Sequence, residues 1–353
     1  MRILDNLLAM RRLDRADMLG QAAALPAQCA EGWKKGLAWR VPSAFSSCRK
    51  ILVLGMGGSA IGADLAAGIV GDRLSRPILI NRTYSLPAWV DKQTLVLVCS
   101  YSGNTEETLS AAEQAGRTGA EIAAITSGGR LAAWAKQKRL PLLVIPAGLP
   151  PRSAVGYMTF IPLGLLVRLR WISRSALPVE AACRGLDRFV RSRLAPGVRT
   201  AMNPAKKLAV FLKNRLPILY GAAGGWEGIT YRWRTQLEEN SKTLAFHHIY
   251  PEATHNEISG WVQPKGLMKH SAALFLTDPA VHPRILRRME FGRRIIRGEG
   301  ARAEKVSVPG VTRLERMLRL IALGDFTSVY LGLLYRIDPT PVARVEALKK
   351  FMK

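Results

Sequence analysis

Short apolar runs closed by glycine-marked turns alternate with helical periodicity along most of this chain. Residues 51–54 (ILVL) form the first unbroken apolar run, which predicts a strand buried on both faces. A glycine turn follows at 55–58; Ser59 reads as an N-cap and 60–69 as a helix. Further strands are expected at 77–81, 94–100, 121–126 and 140–145. Helices are expected after Asn104 or Thr105 and over 131–138, and two more, at 14–25 and 30–37, precede the first strand. Strands alternating with helices imply a parallel sheet covered on both faces.

The segment PAGLPPRSAVGYM (146–158) interrupts this rhythm with its prolines and glycines and reads as the exit from a first domain. A helix over 159–173 then bridges to the second. From residue 216 the alternation restarts, with strands at 216–221, 243–248, 272–277 and 304–308. Helices are expected up to Glu239, near Asn256, over 284–297, and from Thr312 and from Asp325. The turn Asp338-Pro339-Thr340-Pro341 starts a last helix. The expected architecture is α/β: two domains, 1–155 and 156–353, each a parallel sheet between helices.

Composition changes this picture little. The chain has 353 residues, enough for two buried cores. No run of 18 apolar residues lacks a charge, which argues against a membrane span. The first 20 residues mix Asp and Arg into the apolar positions and show no secretory pattern. Cys29, Cys48, Cys99 and Cys183 have no CxxC spacing, so reduced thiols in a cytoplasmic protein are expected. Charge is the exception, at a formal +26. The excess is spread along the chain, with one concentration over 284–302, so a general attraction for anions is expected and no specific nucleic-acid partner.

Two stretches carry candidate chemistry. GMGGSAIG (55–62) and CSYSGNT (99–105) each leave a strand and enter a helix. Free N–H groups and the dipole at a helix start favour an anion, and glycines let it come close. Gly57, Gly58, Ser59, Ser100, Ser102 and Thr105 are the candidate phosphate ligands. The glycine spacing departs from GxGxxG, and the strand ending at Asn81-Arg82 lacks the ribose-binding carboxylate of a dinucleotide fold. A nucleotide P-loop would need GKS or GKT. The second stretch, 230–261, gathers Arg, Glu, Asn, Lys and three of the five histidines at a helix end and a following loop. A carboxylate there with a histidine sixteen residues on suits acid/base work on a small molecule. His247, His248, Glu252 and His255 match no zinc spacing, and adjacent strand histidines point to opposite faces, so no metal is expected.

GMGGSAIGAD, SYSGNTEETL, PRSAVGY, RWRTQLEENSK, PEATHNEISGW and DPTPV followed by LKK together resemble the bifunctional phosphoglucose/phosphomannose isomerase family. That family belongs to the sugar isomerase (SIS) superfamily. The first two motifs are shared by SIS domains generally; the EENSK and HNE motifs are more specific, and the resemblance covers nearly the whole chain. It implies two SIS domains and interconversion of glucose 6-phosphate and mannose 6-phosphate with fructose 6-phosphate, without cofactor or metal. It also implies a homodimer in which His255 reaches across the interface. By the same resemblance Glu239 is the C–H base, His255 the ring-opening acid/base, and Arg152 the cation beside the enediolate. Lys349 is the active-site lysine, with Lys350 as rival. A sugar-phosphate sensor would not need the Glu239–His255 pair. A glucosamine 6-phosphate synthase would need Cys at position two, where Arg2 stands.

Overall fold

The computed structural model describes residues 2–352. It divides into two compact units: one is Leu25–Arg184, and the other joins the N-terminal segment up to Ala24 to the chain from Gly185 onward.

The unit Leu25–Arg184 holds five parallel strands, β1 Lys50–Leu54, β2 Ile78–Asn81, β3 Thr94–Cys99, β4 Glu121–Thr126 and β5 Leu142–Val144, in the order β2-β1-β3-β4-β5. β3 is buried at every position, as its unbroken apolar run requires. The expected boundary near 155 falls inside this unit. Helix Val155–Arg168 does not leave for a second domain but packs back against helix Leu25–Ala38. Glycines on both helices allow their backbones to touch. A Cβ on Gly36 would sit 2.3 Å from the Ile161 carbonyl oxygen, and one on Gly164 2.8 Å from the backbone of Gly36. The prolines and glycines at 146–156 therefore make a turn within the unit, which ends at Arg184.

The other unit has a second parallel sheet, β6 Leu216–Ala222, β7 Phe246–Tyr250, β8 Ser271–Leu276 and β9 Arg302–Val306, in the order β7-β6-β8-β9. The N-terminal segment belongs here: Asp5 accepts from Thr200 N at 2.7 Å and Thr200 Oγ1 at 2.9 Å. Its core helix is Arg313–Leu334, one continuous element where two helices were expected. Asp325 looks like a start signal beside Gly324, but Gly324 marks a close approach: a Cβ there would lie 2.5 Å from Trp233 Nε1. This helix is long and apolar enough to cross a bilayer, and its apolar stretch is buried inside the unit.

Candidate active site

In the Leu25–Arg184 unit the chain runs from β1 out to β2 on one side and then returns to β3 on the other. Ligands of open α/β sheets gather outside the strand ends at such a reversal. The loops after β1 and β3 are the two glycine- and hydroxyl-bearing stretches. Helix Gly57–Val70 begins three residues earlier than expected, with Met56 as N-cap, so no side chain caps it. Ser59 is thus not the cap. It lies buried in the first turn, and its Oγ accepts from Tyr101 N at 3.2 Å, tying the first loop to the second. Gly57 has φ +50°, and a Cβ there would meet only open space. Helix Glu106–Ala115 likewise starts without a side-chain cap. Its N-cap Thr105 instead shares a hydrogen bond with Ser100 Oγ at 2.9 Å. Two helix starts without a side-chain cap, each with hydroxyls nearby, therefore flank the reversal.

The second loop is braced from behind. Gly103 has φ +67°, and a Cβ would fall 1.9 Å from the Gly128 carbonyl oxygen. Asn104 Oδ1 accepts from Arg130 N at 3.0 Å, and Ser127 Oγ donates to the Tyr101 carbonyl at 2.6 Å. Ser102 is exposed at the tip, its Oγ accepting from Asn104 N at 3.2 Å. Sequence reasoning passed over this third loop, although Ser127-Gly128-Gly129 after β4 repeats the strand–glycine signal. It also missed Tyr101, whose hydroxyl donates to the Pro146 carbonyl at 3.0 Å and accepts from Leu149 N at 2.8 Å. Arg152 lies just beyond, in the 3-10 turn Pro151–Ala154, and is only 3% exposed. Its Cα would be 3.3 Å from a Cβ on Gly58, so the turn abuts the first loop.

The other unit treats its corresponding loop differently. After β6, the N–H groups of Gly224 and Gly225 donate to the carboxylate of Glu227, at 3.0 and 2.8 Å. The protein's own side chain fills the place that an anion would take. Helix Glu227–Ser241 follows and carries the candidate base. Its inner face is fixed by Trp233 Nε1 on the Leu320 carbonyl at 2.9 Å and by a two-pronged Arg232–Asp325 pair, 2.9 Å on each prong. Asn240 turns inward, its Nδ2 donating to Ser328 Oγ at 2.9 Å. Glu238 and Glu239 are both half-buried near the helix end. Burial raises the Glu238 carboxyl above its ordinary range, against the pull of Arg234 at 3.7 Å. Lys242 adopts the left-handed C-cap conformation, and its Nζ donates to the carbonyls of Glu239 and Pro339, at 2.6 and 3.0 Å.

His255 stands exposed after the 3-10 turn Glu252–Thr254; among the described residues its side chain has no hydrogen-bond partner. The segment around it is anchored by Glu257, a residue sequence reasoning did not single out. The Glu257 carboxylate binds His248 Nδ1 and accepts from the Tyr220 hydroxyl, which in turn accepts from Trp261 Nε1 at 2.8 Å. His247 stacks on Tyr231 with centroids 5.4 Å apart, and burial pushes its pKa down to about 4. The two neighbouring histidines thus serve different partners. Among the described residues no three His, Cys, Asp or Glu side chains gather as a metal site. Lys349 and Lys350 both lie on helix Ala343–Phe351, which buries no residue, and nothing there favours one over the other. The structure thus gathers Ser59, Ser100, Thr105 and the glycines around one sheet reversal and brings Arg152 against them. His255 and Lys349 stand exposed on separate elements of the other unit.

Residues 44–140 match the SIS domain family, and residues 201–352 match the family described as bacterial phospho-glucose isomerase C-terminal SIS domain. The chain is similar to the bifunctional phosphoglucose/phosphomannose isomerase of Caldicellulosiruptor bescii, 41% identical over 92% of this chain and 96% of the relative. It is 32% identical to the protein of the same description from Thermoplasma acidophilum, over 85% of this chain and 88% of the relative. Its fold resembles the crystal structure of a hypothetical protein from Thermus thermophilus, with a TM-score of 0.72 and 16% identity, covering 98% of this chain and 93% of the other.

Proposed function

The chain belongs to the bifunctional phosphoglucose/phosphomannose isomerase family, and we propose that it interconverts glucose 6-phosphate and mannose 6-phosphate with fructose 6-phosphate through one cis-enediol. The observation that carries the structural part of this reading is the pair of uncapped, hydroxyl-bearing helix starts at the β1/β3 reversal. They suit the phosphate of the sugar, which Gly57, Gly58, Ser59, Ser100, Ser102 and Thr105 hold. The loop after β6 is closed by Glu227, which supports a single phosphate position per chain.

In this reading His255 opens the sugar ring. Glu239 takes the proton from C2 of an aldose, or from C1 of fructose 6-phosphate, and returns it to the neighbouring carbon. Arg152 faces the oxygen on which charge develops, where a fixed cation stabilises the enediolate most. Lys349 supplements that charge. Removal of the C2 proton makes C2 planar, so both aldoses give the same enediol and one base serves both. The chemistry asks for no metal or cofactor. His255, exposed and without a side-chain hydrogen-bond partner among the described residues, fits a homodimer in which the partner subunit's His255 completes each site. The enzyme works in the cytoplasm.

The phosphate assignment has a direct test. Ser59→Ala/Thr105→Ala removes two hydroxyls without touching Glu239. A hydrogen bond to a charged group contributes roughly 1.5–3 kcal/mol, so KM for fructose 6-phosphate is expected to rise about tenfold or more, with a smaller change in kcat. An unchanged affinity for 6-phosphogluconate in this variant would place the phosphate elsewhere.

A further inference from the structure

We propose that the face of helix Pro283–Gly298 bearing Arg284, Arg287 and Arg288 is a binding site for a small polyphosphate anion, built from different residues than the sugar-phosphate loops. With Phe291 these positions follow the i, i+3, i+4, i+7 spacing that puts side chains on one face of a helix. Together with Thr254 and Ile258 they line a cavity of about 380 Å³. That is within the range of small-molecule sites, roughly 300–1,000 Å³.

The charges on this helix are not treated alike. Arg293 and Arg294 both pair with Glu290, at 2.9 and 3.1 Å. Among the described residues Arg284, Arg287 and Arg288 have no carboxylate within ion-pair distance. Like charges one helical turn apart repel, and a counter-ion seated between them relieves that repulsion. One guanidinium is already held: Arg288 Nη1 donates to Thr254 Oγ1 at 2.8 Å. Phe291, 57% exposed, and Ile258 supply apolar surface beside the guanidiniums of this open pocket. Three adjacent cations in one cavity suit an anion with several phosphoryl groups better than a single phosphate. Arg288 grips the turn that leads into His255, so an occupant would bear on the segment carrying that residue.

Calorimetric titration of the full-length protein with sodium tripolyphosphate tests this. The wild type is expected to show a binding event that weakens about tenfold or more in Arg284→Ala/Arg287→Ala, since charge-assisted hydrogen bonds are lost. Arg294→Ala/Arg297→Ala removes the same charge from the same helix and is expected to leave that event in place. Both pairs are read by binding alone, so the outcome does not depend on the isomerase reading. The proposal is overturned if the wild type shows no binding, if the first pair leaves the isotherm unchanged, or if the second weakens it equally.

Discussion

Glu239→Gln is expected to lower kcat for fructose 6-phosphate by ~10²–10⁴-fold and to leave substrate binding in place, because glutamine keeps the shape and loses the proton acceptor. Glu239 and Glu238 sit side by side near the end of helix Glu227–Ser241, both half-buried. Their surroundings separate them. Glu238 belongs to a local pair with Arg234, and burial shifts its carboxyl toward the protonated form. Glu239 lies where Lys242 fastens the helix end to the carbonyl of Pro339. A base on a rigid helix end holds its geometry through both halves of the proton transfer. Glu238→Gln is the matched control and is expected to cost far less. Steady-state rates for both variants decide the point: more than about a hundredth of the wild-type rate in Glu239→Gln removes that residue from the role of base.

Asp325→Ala is expected to destabilise the unit that carries this helix by about 3–5 kcal/mol, because it leaves the Arg232 charge buried without its carboxylate. Arg232 and Asp325 are 2% and 5% exposed, and their two-pronged contact joins the helix of the base to core helix Arg313–Leu334. Arg232→Met/Asp325→Leu is expected to lose less than Asp325→Ala alone, since no unpaired charge remains. Urea unfolding of the three proteins checks both statements. A loss below about 1 kcal/mol in Asp325→Ala would mean that the Arg232 guanidinium is satisfied without Asp325.

Much of the fold was legible because it rests on local signals. Runs such as ILVL at 51–54 and TLVLVC at 94–99 can satisfy their backbone and bury both faces only as inner strands. The loops after them were legible because glycine and hydroxyl residues at a strand–helix junction have few other uses. What failed depended on distant partners. Ser59 has the chemistry of an N-cap, but the helix starts at Gly57 and the hydroxyl serves Tyr101. Asp325 beside Gly324 reads as a helix start until Arg232 and Trp233 are seen to need both positions. The boundary near 155 failed for the same reason, since the glycines of helix Val155–Arg168 reveal their purpose only against Gly36. Glu227 and Glu257 were indistinguishable from surface charges until their partners, the Gly224 and Gly225 N–H groups and the His248–Tyr220 pair, were in place.

The central claim is that one enediol and one base serve two aldoses. The most direct measurement is incubation of purified, EDTA-treated protein with fructose 6-phosphate, followed by chromatographic separation of the aldose phosphates. Glucose 6-phosphate and mannose 6-phosphate are both expected to form. Both rates are expected to fall together in Glu239→Gln and in His255→Ala. A variant that loses one product and makes the other at the full wild-type rate would show two separate chemistries and contradict the account.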